Sequence, residues 1–185
     1  VLSGGNLIEK AAVNFTQSSG ESLPPAATLR YPDRVGQPFK AASLSVIVHP
    51  RNPFAPCSHL NLRFFMIGGE DFWHFGGGFD LTPTYGYESD SREWHQYAKQ
   101  AVQEEYEEMK TACDQYFYLP HRDEQRGIGG LFFEDWRSST FEKSLEVVMR
   151  VGTAYRDAYV KILKRRTTEP YTAKNREFQL YRRGR

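Results

Sequence analysis

The sequence has few cysteines and no long apolar segment. Its 185 residues include only two cysteines, Cys57 and Cys113, which do not form a CxxC pair. The pattern therefore indicates neither a disulfide framework nor a zinc ribbon. No apolar run approaches the roughly 20 residues that a membrane-spanning helix needs. We therefore expect a globular protein from a reducing compartment, without an integral membrane segment.

The composition suits one domain with an uneven distribution of charge. Hydrophobic residues make up 39% and aromatic residues 15% of the chain, which is enough to bury one sizeable core. The net charge is +1, but residues 161–185 carry nine Lys or Arg and two acidic residues. The C-terminal part therefore favours anionic partners, while the acidic remainder argues against a nucleic acid lying along the whole protein.

Alternating polar and apolar residues predict two paired strands, at residues 41–49 and 59–67. Residues 1–40 have an irregular composition, with a possible short helix at 7–13. Helical spacing predicts one continuous helix over 91–119 and a second over 141–166, and further strands are expected at 72–81, 127–135 and 177–183. This order predicts an α+β fold, in which a large, mostly antiparallel sheet is flanked by long helices on both faces.

A polar stripe on the strand at 59–67 is the clearest chemical signal. His59, Asn61 and Arg63 point to one side, and Ser45 and His49 join them if the two strands pair with their polar faces matched. Such a surface can bind a carboxylate through Arg63 and exchange protons through a histidine. The alternative is a solvated sheet face that binds no ligand.

Three consecutive glycines, at residues 76–78, interrupt the next predicted strand. Glycine weakens a strand interior, so the run suggests a bulge or the close approach of a flat ligand. Asp80 follows with the parity of His74, and its carboxylate would suit the N–H groups of such a ligand. Alternatively, Asp80 caps the turn that follows.

The five histidines show no standard metal-binding spacing. His49 and His59 could converge across a strand pair. However, one continuous helix over 91–119 would place its two ends roughly 35–40 Å apart, which argues against a shared site that includes His95 and His121.

Cys57 is a possible nucleophile, although a buried thiol is the commoner state. The basic, aromatic C-terminal segment leaves an RNA-binding module as another alternative.

Four blocks of sequence resemble the oxygen-dependent coproporphyrinogen III oxidase family. They are VIVHPRNPFAPCSHLNLRFF, WHFGGGFDLTPTYG, YFYLPHRDEQRGIGGLFFED and EFQLYRRGR, in that order along nearly the whole chain. The resemblance implies a homodimer that oxidatively decarboxylates two propionates of coproporphyrinogen III to vinyl groups, giving protoporphyrinogen IX. It also implies O2 as the oxidant and no organic cofactor.

The resemblance assigns roles to particular residues. His59 corresponds to the proton donor, and we expect Asp80 to act in catalysis as a partner of the pyrrole N–H groups. The implied substrate contacts are Ser45, Asn61, Leu62 and Arg63, and Arg126, Arg182 and Arg183 are further candidate clamps for the propionates. The implied ligands of a divalent metal are His49, His59, His95 and His121.

The resemblance also bears on the extent and location of the chain. Family members continue beyond YRRGR, so residues 1–185 read as a single domain truncated at its C-terminal end. We expect an unpaired edge strand at residues 179–182, and hence an inactive or unstable chain. The expected location is cytoplasmic, or mitochondrial or plastid if a targeting segment was removed. A tetrapyrrole-binding protein without turnover is the alternative function.

Overall fold

A six-stranded antiparallel sheet forms the centre of the computed structural model, which describes residues 1–183. The spatial order is β1-β2-β3-β4-β5-β8. The strands are β1 (Leu2–Ser3), β2 (Ile8–Gly20), β3 (Phe39–Pro50), β4 (Cys57–Ile67), β5 (Trp73–Thr82) and β8 (Gly129–Trp136). A separate hairpin consists of β6 (Tyr118–Leu119) and β7 (Glu124–Gln125).

Residues 1–183 also form five α-helices that pack around the sheet. They are α1 (Pro25–Thr28), α2 (Glu88–Val102), α3 (Tyr106–Tyr116), α4 (Phe141–Arg166) and α5 (Ala173–Arg183). Short 3₁₀ turns follow α1 at Pro32–Arg34 and join α2 to α3 at Gln103–Glu105. No helix within residues 1–183 combines the length and the apolar character needed to cross a membrane. The antiparallel sheet and these helices together confirm the predicted α+β class.

The two long helices lie on the same face of the sheet, whereas we expected long helices on both faces. The Trp94 ring of α2 packs edge-on against Phe79 of β5, and the Tyr155 hydroxyl of α4 lies 2.8 Å from that of Ser58 in β4. This helix-covered face also carries the core residues Leu60 and Leu131. The opposite face, which we call the polar face, carries alternate residues of the same strands.

The glycine run shapes the sheet itself. Gly77 and Gly78 have φ angles of 135° and 141°, which side-chain-bearing residues rarely adopt, and the register of β5 against β8 shifts between Phe75 and Gly77. A Cβ atom on Gly77 would lie 2.0 Å from the Asn61 backbone oxygen, and one on Gly78 would lie 1.9 Å from that of Leu131. Because the backbones of the neighbouring strands leave no room for a Cβ atom, positions 77 and 78 require glycine whether or not the sheet binds a ligand.

Three predicted elements differ from the structure. Residues 1–40 are not irregular, because Ile8–Gly20 forms a 13-residue strand, and the possible helix at 7–13 is wrong. The continuous helix over 91–119 is also wrong, because Gln103 has a φ of 53° and ends α2. Residues 177–183 belong to helix α5 rather than to a strand. The expected unpaired edge strand at 179–182 is therefore absent from the described residues.

Ion pairs attach α5 to the sheet. Glu9 of β2 accepts hydrogen bonds from Arg176 and Arg183, and the amide of fully buried Gln179 donates to the Pro50 oxygen at 3.3 Å. The Arg176 hydrogen bond is the largest cause of a fall in the pKa of Glu9 to about 2. The basic C-terminal segment is thus partly neutralised by the protein itself.

We predict that Gly77→Ala destabilises the fold, whereas Gly86→Ala does not. The strained backbone alone costs about 1–3 kcal/mol, and the clash with Asn61 adds to this loss. A Cβ on Gly86 meets no atom within 4 Å, so Gly86→Ala is the matched control. Urea unfolding measures both variants, and equal midpoints would contradict this account of the bulge.

A second prediction concerns the pH dependence of α5 docking. Because the folded-state pKa of Glu9 is depressed, its stabilising contribution is present above pH 4.5 and is lost as the pH falls towards about 2. Glu9→Gln should lower stability at pH 7 by roughly 1 kcal/mol, with allowance for solvent screening, and should reduce the loss on acidification. Urea unfolding at pH 7 and pH 3 tests this, with exposed Glu70→Gln as the control. An unchanged acid response in Glu9→Gln would refute it.

Candidate active site

Strand pairing brings the predicted polar stripe together at the centre of the sheet. Ser45 of β3 is the register partner of Asn61 in β4, which in turn pairs with Gly78 in β5. The Asn61 amide nitrogen donates to the Ser45 hydroxyl at 2.7 Å. The Asn61 side-chain oxygen is buried and has no hydrogen-bond partner among residues 1–183. This part of the polar face therefore offers an acceptor to an N–H donor.

A buried carboxylate lies beside this centre. Asp80 is 2% exposed, and its Oδ1 atom lies 2.7 Å from an Arg126 guanidinium nitrogen and 3.3 Å from Nδ1 of His59. The His59 contact has an ion-pair distance but does not meet hydrogen-bond geometry, so Nδ1 has no hydrogen-bond partner within the described chain. Thr82 donates to Oδ2 of Asp80 at 3.2 Å. Asp80 thus contacts a side chain at the end of β5, and it also contacts the side chains of Arg126 and His59.

The partners of Asp80 keep it ionised. Burial by itself raises the pKa of the carboxyl group, but the adjacent His59 and Arg126 outweigh this effect and hold the pKa below its ordinary value. Arg126 is itself fixed by the Phe117 ring, whose centroid lies 3.8 Å from the guanidinium carbon. A permanent negative charge therefore lies at the polar face.

Arg63 lies at the other end of the polar face, four residues from His59. Its guanidinium is 2.8 Å from Glu134 of β8 and covers Gly76, where an added Cβ would be 3.2 Å from the guanidinium. The side chain is 42% exposed. It borders a cavity of about 470 Å³, here called the Arg63 cavity, which is a size typical of small-molecule sites.

Several residues of the Arg63 cavity were not predicted. The Tyr31 hydroxyl donates to Asp135 at 2.8 Å and lies 2.9 Å from Nε2 of His74. Arg30 binds Asp135 at 2.7 Å. Tyr31 and Asp135 are 104 positions apart, and no local pattern links them. Burial, followed by the hydrogen bond to Asp135, raises the pKa of Tyr31 to about 12, so its phenol stays neutral.

A second, cationic cavity of about 200 Å³ surrounds the histidine end, and we call it the His59 cavity. The charged and imidazole side chains that line it are His49, His59, Arg122, Arg126, Arg182 and Arg183. Cys57 also lines it, but burial raises the pKa of its thiol, which does not favour a thiolate nucleophile. Burial, then the charge of Arg183, lowers the pKa of His49.

The four histidines implied as metal ligands are not gathered in one place. His49 and His59 are neighbours, with ring centroids 6.3 Å apart. Both ring nitrogens of His95 have protein partners, the Ile128 backbone oxygen at 2.8 Å and the Tyr106 hydroxyl at 3.0 Å, and His121 is exposed in the β6–β7 turn. Residues 1–183 contain no group of three or more His, Cys, Asp or Glu side chains arranged for a metal. The residues present do not fit that ligand set.

Leu62 is also separated from the other implied substrate contacts. Its side chain lies on the helix-covered face, packs against the core and approaches Gly152 of α4. Ser45, Asn61 and Arg63 share the polar face, as expected from the alternation. Any contact of Leu62 with a ligand on that face would have to come from its backbone.

The polar face thus has an arginine at each end, Arg63 at one and Arg126, paired with Asp80, at the other. Guanidinium groups in such positions are suited to anionic groups. The family model described as coproporphyrinogen III oxidase matches residues 1–185. The oxygen-dependent coproporphyrinogen-III oxidases of Coxiella burnetii strains Dugway 5J108-111, RSA 331 / Henzerling II and RSA 493 / Nine Mile phase I are each 47% identical to the chain over 192 residues.

The chain therefore belongs to the coproporphyrinogen III oxidase family. The alignments cover 100% of this chain and 62% of each relative. The chain thus spans less than two thirds of the length of the curated relatives that it matches.

Proposed function

We propose that the protein oxidatively decarboxylates coproporphyrinogen III to protoporphyrinogen IX. Each of two propionates loses CO2 and becomes a vinyl group, which is a two-electron oxidation. The two oxidations together release four electrons, which is the number needed to reduce one O2 to two waters. The observation that carries the proposal is the buried, ionised Asp80, held by Arg126 and His59 on a polar sheet face that also presents Arg63.

Charge and hydrogen-bonding capacity support this substrate. Coproporphyrinogen III carries four carboxylates on its rim and N–H donors at its centre. Arg63 is suited to a rim carboxylate, and the unpartnered Asn61 oxygen is suited to a pyrrole N–H. Gly76 lies opposite Arg63 and beneath its guanidinium, and Gly78 lies opposite Asn61, so neither presents a side chain to the polar face. A macrocycle on the polar face could therefore contact the rim-binding and centre-binding groups together.

Asp80 acts mainly through its neighbours in this proposal. Its Oδ1 atom contacts Arg126 and His59, and its Oδ2 atom accepts from Thr82, so Asp80 has less capacity for pyrrole N–H groups than we expected from sequence. We assign it as a positioning residue for His59, the proposed proton donor. Its negative charge also stabilises positive charge that develops as the electron-rich ring is oxidised.

Oxygen-dependent turnover is the primary test. The full-length protein should convert coproporphyrinogen III in air but not under argon, with product detected by porphyrin fluorescence after chemical oxidation. A parallel reaction with chelator tests for a divalent metal. Tight binding without turnover in air would instead support the tetrapyrrole-binding alternative. The homodimer and the cytoplasmic location that the resemblance implies belong to the same proposal.

We predict that Asp80→Asn lowers kcat by at least about 10²-fold, because His59 and Arg126 lose the charge that positions them. KM should change less than kcat, because Asp80 itself contacts no propionate and Arg126 keeps its positive charge. Steady-state kinetics separate the two parameters. Asp71→Asn, which removes one exposed carboxylate from the β4–β5 turn, is the control. An Asp80→Asn variant with the wild-type kcat would rule out this role.

Arg63 should act on substrate affinity. Loss of a charge-assisted hydrogen bond costs about 1.5–3 kcal/mol, so Arg63→Gln should raise KM by roughly 10-fold or more. Arg63→Lys keeps the positive charge but loses the paired N–H donors of the planar guanidinium. Its KM should therefore fall between those of the wild type and Arg63→Gln. If all three proteins have the same KM, Arg63 does not bind a propionate.

A further inference from the structure

The lining of the His59 cavity is strongly cationic. Four arginines and two histidines line it, and no Asp or Glu is among its lining residues. Three carboxylates contact these arginines from outside the lining: Asp80 pairs with Arg126, Glu124 with Arg122 and Arg182, and Glu9 with Arg183. Glu9 is also shared with Arg176, so the positive charge is only partly balanced.

Unsatisfied donors support an anionic occupant. The Nε atoms of Arg126 and Arg183 are buried and have no hydrogen-bond partner among residues 1–183. Buried donors without partners are costly, and an anion in the cavity could accept from them. The same concentration of positive charge opposes a metal cation between His49 and His59. Because His95 is fully engaged elsewhere, the cavity also lacks the ligands that the family resemblance implied.

The size and position of the cavity restrict the ligand. At about 200 Å³ it is smaller than a typical drug-sized pocket, so it suits a single acidic arm rather than a ring. His59 and Arg63 are four positions apart on one strand, which corresponds to about 13 Å. No single carboxylate can contact both ends of the polar face, but a molecule with several carboxylates can.

We infer that the His59 cavity is an anion site for one carboxylate of the substrate, and that Arg182 of α5 is an anion-binding residue in it. The Arg63 cavity then receives a different carboxylate of the same molecule. Only the identity of the molecule that carries the carboxylate rests on the proposed function. Glu124, which pairs with Arg182 at 3.0 Å, holds that guanidinium at the cavity and competes with the anion for it.

A matched pair of variants separates an anion-binding role from a structural one. Arg182→Gln and Glu124→Gln both break the Arg182–Glu124 ion pair, but only the first removes a positive charge from the cavity. Arg182→Gln should weaken binding of coproporphyrin, the stable oxidised form of the tetra-acid, by about 10-fold, whereas Glu124→Gln should bind it at least as tightly as the wild type. Fluorescence titration gives the affinities, and thermal unfolding confirms that both variants fold.

Inorganic phosphate tests the cavity without a porphyrin. In NMR spectra of the wild type, phosphate should shift the ring signals of His49 and His59 but not those of His95, and Arg182→Gln should need about 10-fold more phosphate. If phosphate binds in this way but the protein does not turn over coproporphyrinogen III, the anion site stands and the proposed function fails. If coproporphyrinogen III is turned over but Arg182→Gln and Glu124→Gln change coproporphyrin binding equally, the inference fails alone. Saturable Zn²⁺ binding at His49 and His59 that Arg182→Gln leaves unchanged would also overturn it.

Discussion

The candidate site depends on the burial of one carboxylate. Asp80 is 2% exposed, and an ionised group at such a position is stable only when charged partners and hydrogen bonds compensate for lost hydration. Those partners come from separate parts of the chain: His59 from β4, and Arg126 from the segment between β7 and β8. Their convergence requires the register of β4 against β5, which the glycines of the bulge permit.

The sequence contained enough information for the centre of the sheet and for most of the site. Alternation in β3 and β4 placed Ser45, Asn61 and Arg63 on one face because side-chain direction in a strand has a fixed period of two. Parity also gave Asp80 the same side as His74, whereas its position opposite His59 follows from the register of β4 against β5. Of the two interpretations of the glycine run, the structure shows the bulge, and its cause is contact between neighbouring backbones.

Other features depend on contacts between distant residues. Residues 177–183 alternate like a strand, yet Arg176, Gln179 and Arg183 also have helical spacing, and all three contact β2 or the residues at the end of β3. Thr172 and Asn175 exchange hydrogen bonds at the start of α5, a capping signal that could have revealed the helix. By contrast, residues near Gln103 are ordinary helix formers, and the break between α2 and α3 has no local signal. The Tyr31–Asp135 contact likewise depends on tertiary structure.

The central claim is that the polar face binds a macrocyclic tetra-acid with one carboxylate at each end. The most direct measurement is a crystal structure of the protein with bound coproporphyrin. The account predicts that the ring lies over Gly78 and Asn61, with one carboxylate at Arg63 and another in the His59 cavity. A ring bound away from the polar face, or one whose carboxylates contact neither end, would contradict it.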